Sequence, residues 1–332
     1  MKRFLFMSLS AALALVLAAS CRTDANSHAA DKSDTQWLAE AGVGAFMHFL
    51  VDGNTSGPVD RFDVKALADQ LEGAGVGYFC LTLGQNTGYF CAPNPVYDRI
   101  SGYKAGERTS RRDLPMELAK ELSRRGIRMM LYLPMQTPNR DMQAVVNFGF
   151  PAEEENNDRQ FTETGTDNWA EVISWWSEHY GEIISGWWFD GGYDWIGVND
   201  SIREKYAKAA KSGNPHAIVC FNPGIMIKRS GEAEDYTAGE TADLLNADVD
   251  GQYTDGAQSH ILSYLGSNWG KRDCRYETTQ LKEWLGGMIE KHCAVTFDVG
   301  PNYDTGNGPV GTISGEQLGQ LGELTGLVSE IQ

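Results

Sequence analysis

Gly186-Trp187-Trp188-Phe189-Asp190-Gly191-Gly192-Tyr193-Asp194-Trp195 is a short apolar run that ends on a carboxylate and breaks at once into glycine. Side chains of a strand alternate between its faces, so Trp188 and Asp190 point one way while Trp187 and Phe189 point toward surrounding helices. Asp190 then stands at the strand's end above an indole. A carboxylate placed so, among aromatics, can attack a sugar's anomeric carbon or stabilise a cationic transition state. Aspartate before glycine also turns chains and caps helices, and the residues alone leave both roles open.

Outward from this stretch the pattern repeats. Apolar, β-rich runs at 44–49, 77–83, 127–133, 186–189, 217–221 and 294–299 are followed by amphipathic stretches at 63–73, 114–125, 168–184, 200–211 and 278–291. That alternation predicts a parallel α/β sheet or barrel. Two details favour a closed (β/α)8 TIM-like barrel. No G-x-G-x-x-G loop follows the first run, which removes support for the nucleotide-binding layout. His48, Gln85 with Asn86, Gln136, Asp190, Asn222 and Asp298 all fall at or just past the carboxyl ends of runs, which in a barrel converge on one rim. Residues 231–263 have weak periodicity, so strands six and seven are placed there only loosely.

From residue 36 onward no linker or low-complexity block interrupts the chain, which predicts one domain over 36–332. Residues 1–20 have the charged, apolar, small-residue order of a secretory signal, and 21–35 form a polar tether. Leu17-Ala18-Ala19-Ser20-Cys21 resembles a bacterial lipoprotein cleavage box, with Cys21 lipidated and the protein exported to the envelope; ordinary cleavage beside Ala19 is the alternative. The sequence has 28 basic and 45 acidic residues, and loss of Lys2 and Arg3 leaves 26 against 45, a net charge of −19. Such a balance disfavours nucleic acid and strongly sulfated polymers and suits a neutral sugar, with membrane contact only through the lipid. Five cysteines remain after Cys21, an odd number without a C-x-x-C pair, so neither zinc nor a disulfide framework is signalled. A Cys80–Cys91 bridge is set aside because Cys80 reads as part of a strand. Asp194, Asp298 and Asp304 lie near glycine-rich loops, but no calcium loop appears and turn chemistry is the better reading. No metal or cofactor is expected.

Several segments, in order and spread over 37–328, resemble the α-L-fucosidases of glycoside hydrolase family 29. Ala45-Phe46-Met47-His48-Phe49 resembles that family's Phe-Ile-His-Trp-Gly first strand, and Trp188-Phe189-Asp190-Gly191 is similar to the strand bearing its nucleophile. Phe62-Asp63-Val64-Lys65, Asp113-Leu114, Arg125-Gly126-Ile127 and Leu131-Tyr132 look like its next units. Ser267-Asn268-Trp269-Gly270 and Phe297-Asp298-Val299-Gly300-Pro301 resemble its late Ser-Trp-Gly-Tyr and Leu-Asn-Val-Gly-Pro stretches. The resemblance implies a retaining glycosidase with Asp190 as nucleophile and His48 on the sugar; Gln85, Asn86, Trp188, Tyr193 and Trp269 complete the expected substrate-binding set.

This chain also departs from the family. Where the family has Lys-His-His-Asp-Gly, residues 83–89 read Leu-Gly-Gln-Asn-Thr-Gly-Tyr, so both sugar-gripping histidines are missing and the recognised sugar can differ from fucose. The acid/base is unassigned. Its candidates are Glu240, in a stretch resembling the family's Thr-Pro-Glu, then Asp255 and His260. The chain also stops without the β-sandwich that family members often append. A carbohydrate-binding lipoprotein that kept the barrel but lost turnover is the alternative.

Overall fold

A computed structural model of the chain describes residues 32–51, 53, 56–154 and 158–331. The expected leader and the lipidated Cys21 lie outside the described residues. In chain order the elements are α1 (Lys32–Ala41), β1 (Val43–Met47), α2 (Gly57–Arg61), α3 (Val64–Gly73), β2 (Tyr78–Thr82), α4 (Pro95–Ser101), α5 (Leu114–Ser123), β3 (Arg128–Pro134), α6 (Met142–Phe148), α7 (Glu163–Tyr180) and β4 (Ile184–Asp190). Then come α8 (Asp200–Ala210), β5 (Ile218–Phe221), β6 (Tyr253–Thr254), β7 (Ala257–Gln258), β8 (His260–Tyr264), α9 (Thr278–Glu290), β9 (Ala294–Asp298) and α10 (Gly315–Ile331).

Helix starts follow local chemistry. Asp63, Asn94, Asp113, Asp141, Thr162 and Asn199 each accept a backbone N–H of the first turn of α3 to α8, respectively, satisfying donors that have no partner inside the helix.

Seven strands form one curled parallel sheet in the order β5-β4-β3-β2-β1-β9-β8, and β6 and β7 make a separate antiparallel pair. Register sets Pro134 beside Asp190 and Phe46 beside Asp298, so the carboxyl ends of β1, β3, β4 and β9 share one level. Alternation divides the core in two. Phe46, Tyr78, Cys80, Met130, Tyr132, Trp188, Ile218 and Cys220 pack together inside the curl, while Ala45, Met47, Phe79, Leu131, Trp187 and Phe189 pack outward against the helices.

Residues 235–241 lie between β5 and β8 without forming a regular strand. Asp235 N–H donates to the Val219 carbonyl (2.9 Å) on one side, and Thr237 N–H to Gln258 (3.0 Å) and Thr241 N–H to Leu262 (3.0 Å) on the other. Gly239 explains the irregularity: its φ is +64°, and a Cβ there would collide with the His260 carbonyl. Where the sequence predicts the eight regular strands of a closed barrel, the structure has a curled parallel sheet of seven, with this kinked segment between β5 and β8.

At the amino ends of the strands α1 begins at Lys32, inside the stretch read as a polar tether. Leu38 is fully buried in the inner cluster, with Trp37 and Ala41 against it. Arg128 lies over the Trp37 ring at 4.9 Å. All five cysteines of the described residues are free.

Candidate active site

With α1 across one end of the curl, the opposite end carries a cavity of about 440 Å³ lined by Phe46, His48, Leu50, Gln85, Tyr132, Trp188, Asp190, Tyr193, Glu240, Leu262, Trp269, Gly270 and Tyr303. Asp190 ends β4 on the inner face. Its Oδ2 accepts from the Tyr132 hydroxyl at 2.6 Å and its Oδ1 from Asn222 Nδ2 at 3.0 Å. Burial, reinforced by the charge of Asp190, pushes the Tyr132 phenol well above its ordinary pKa, so it remains a donor. Gln85 Nε2 donates to the same hydroxyl at 3.2 Å.

Asn222, one residue past β5, is fully buried. Its Nδ2 also donates to Glu240 Oε2, so one amide group serves both carboxylates. The orientation of that amide is settled by its other end, where Oδ1 accepts from Gly224 N–H at 3.1 Å. Burial first, then the nearby charge of Asp190, raises the Glu240 pKa from 4.5 to about 7. The Asn222 hydrogen bond and His48 pull it down less strongly.

Across the cavity, His48 Nδ1 lies 2.9 Å from Asp298 Oδ1, and Asp298 Oδ2 accepts from Gly270 N–H at 2.6 Å. The carboxylate can only accept, which places the proton on Nδ1 and leaves Nε2 as an acceptor when the ring is neutral. Trp188 Nε1 donates to the Ala238 carbonyl at 3.2 Å and its ring stacks on Tyr132, 5.4 Å between centroids. Trp269 meets the His48 ring edge-on at 5.4 Å.

Of the residues singled out from sequence, Asp190, Glu240, His48, Gln85, Trp188, Tyr193 and Trp269 come together around this one cavity. Asn86, Asp255 and His260 do not. The Asn86 carbonyl accepts from Arg140 N–H at 2.9 Å in the loop behind Gln85. Asp255 sits exposed in the β6–β7 turn at φ 49°. His260 opens β8, so the five-residue strand carries it roughly 13 Å from the rim. There it bonds the Thr237 carbonyl (2.9 Å) and Thr296 Oγ1 (2.7 Å), and burial lowers its pKa to about 4.

Residues 57–323 match the family model described as Alpha-L-fucosidase. The chain belongs to the α-L-fucosidase family. Its fold is shared with the endo-fucoidan hydrolase MfFcnA4 from glycoside hydrolase family 107 (TM-score 0.67, 16% identity, 89% of this chain and 53% of that one). It is shared also with α-L-fucosidase isoenzyme 1 from Paenibacillus thiaminolyticus (0.64, 20%, 90% and 76%). A third likeness is to α-L-fucosidase AlfC from Lactobacillus casei in complex with α-L-fucose product (0.62, 13%, 90% and 98%). The chain thus spans about half the length of that endo-fucoidan hydrolase. No curated protein sequence matches it significantly.

In this α-L-fucosidase-family chain, sequence reading placed Asn222 on the rim and Tyr132 in a strand without giving either a part in the site. Alternation along β3 turns Tyr132 inward with Met130, and that was the available signal. Nothing local to Asn222 announces that it touches two carboxylates 32 and 18 residues away.

Proposed function

We propose that this chain is a retaining exo-glycosidase that releases a terminal neutral or deoxy sugar, α-L-fucose first among the candidates, from a glycan. Family membership and the fucosidase folds support the substrate class. One observation carries the mechanism: Asn222 Nδ2 hydrogen-bonds Asp190 and Glu240 together. Two oxygens that share one donor nitrogen stand no farther apart than two hydrogen bonds, about 6 Å. That favours the close carboxyl spacing of retaining enzymes, about 5–5.5 Å, over the wider gap that leaves room for a water. Residues 235–241, which bring Glu240 to the rim, are read as the eighth member of a closed barrel.

In the first step Asp190 Oδ attacks C1, the C1–O bond to the leaving group breaks, and the Glu240 proton passes to the departing oxygen. This forms a glycosyl-enzyme and a Glu240 carboxylate. In the second, Glu240 takes a proton from water as the water oxygen bonds C1 and frees Asp190. Asp190 is neutral as an ester in the intermediate, so its contribution to the raised proton affinity of Glu240 is gone when a base is needed. His48, oriented by Asp298, offers Nε2 to a sugar hydroxyl. Export and lipid attachment at Cys21 would place this chemistry at the cell envelope.

Hydrolysis of 4-nitrophenyl α-L-fucoside by wild type, Asp190→Ala and Glu240→Gln, followed by proton NMR of the first product anomer, tests this reading. We expect retention, loss of at least ~10³-fold in Asp190→Ala, and rescue of that variant by azide as a glycosyl azide. Inversion, or full activity in Asp190→Ala, removes the assignment.

A further inference from the structure

The loops after β4 and β5 hold three large apolar side chains in water: Trp195 is 48% exposed, Ile225 67% and Met226 44%. Trp195 is not there through looseness. Ile196 beside it is buried, Arg203 ties Asp194 at 2.6 Å, Phe161 N–H donates to the Ile196 carbonyl at 3.0 Å, and Gln160 Nε2 donates to the Trp195 carbonyl at 3.2 Å. The indole stacks on Tyr193 with ring centroids 4.2 Å apart and planes 8° from parallel. A ring with one face covered that is still half exposed must present the other face outward.

This ledge is continuous with the candidate active site, because Tyr193 lines the cavity. Gly224, in the loop bearing Ile225 and Met226, approaches the Tyr193 ring, at 3.7 Å from where a Cβ would stand. The same loop starts at Asn222, the residue that holds Glu240. The ledge therefore lies at the β4 and β5 side of the rim, beside the pair of carboxylates that Asn222 joins. In an exo-acting glycosidase the terminal sugar fills the cavity and everything bonded to it beyond the rim is leaving group, so whatever rests on this ledge is what departs.

The geometry points to a leaving-group subsite in which the apolar face of a neutral pyranose ring, the one bonded to the terminal sugar, packs on the outer face of Trp195 beside Ile225 and Met226. This rests on the glycosidase reading above. Sugar rings bury C–H faces against aromatic planes, and a flat, rigid, half-exposed indole provides such a plane without an ordering cost.

The test compares α-L-fucosyl fluoride, whose leaving group cannot reach the ledge, with 2′-fucosyllactose, whose leaving sugar can, in wild type, Trp195→Ala and Trp195→Phe. Trp195→Ala should lose about tenfold in kcat/KM on the trisaccharide, mainly through KM, and stay within about twofold of wild type on the fluoride. Trp195→Phe should recover most of the loss. Equal losses on both substrates would make Trp195 a brace for Tyr193, and no loss on the trisaccharide would remove the subsite. If wild type turns over neither, the glycosidase reading fails. The ledge is then judged by calorimetric titration with 2′-fucosyllactose: binding lost in Trp195→Ala upholds it, and unchanged or absent binding overturns it.

Discussion

Asn222 gives a single amide group to two carboxylates, which the proposed mechanism requires in different protonation states. Because its N–H holds the Glu240 pKa down against burial and Asp190, removing it has a definite sign. Wild-type kcat/KM should fall as pH rises through about 7, where Glu240 loses its proton. Asn222→Ala should shift that basic limb to higher pH while lowering the plateau on the order of a hundredfold. A pH–rate profile on the aryl fucoside checks both, and a limb that moves down or stays still contradicts the shared-donor picture. Along the chain Asn222 is legible only as a polar residue on the rim, and the folded structure alone brings its two partners to it.

The segment 235–241 decides how far a pattern of apolar runs can be trusted. The first five strands and β9 are legible because each is a short, largely apolar run that is mostly buried on both sides. Around Gly239 the chain is polar and kinked, with no period to detect, and β8, His-Ile-Leu-Ser-Tyr, mixes buried polar with apolar residues. The kink is functional on this view, since it turns Glu240 to the rim beside Asn222. Gly239→Ala would force a side chain into a left-handed conformation and against the His260 carbonyl. It should destabilise the protein by more than about 2 kcal/mol in urea unfolding and cut activity further than its stability loss explains. A variant that is stable and fully active would show that the kink is incidental. His260, nine residues before Trp269 in the chain, is held apart from it by the length of β8.

For the molecule as a whole, acid–base balance and stability are coupled. Glu240 has its pKa raised from 4.5 to about 7 in the folded state, as does Glu234, where burial outweighs three backbone donors. Between these values the native protein binds protons that the unfolded chain has released, so these groups' contribution is full below about pH 4.5 and is lost as pH rises through 7. Glu240→Gln should therefore melt higher than wild type at pH 8 and close to it at pH 4 in calorimetry; a lower melting temperature at pH 8 would mean that the carboxylate is better solvated than its burial implies. The curl itself depends on its closed end. Leu38→Ala, at the fully buried centre of the α1 cap, should cost about 2–5 kcal/mol yet leave kcat unchanged, because the cap lies at the far end from Asp190. That cap escaped sequence reading because its polar first turn blends into the stretch before it, and only Trp37 and Leu38 mark an inward face.

Since α1 covers the foot of the curled sheet, with Leu38 buried among the inner side chains, the cavity at the other pole is a blind pocket and not a passage. Any ligand that enters it must back out by the way it came.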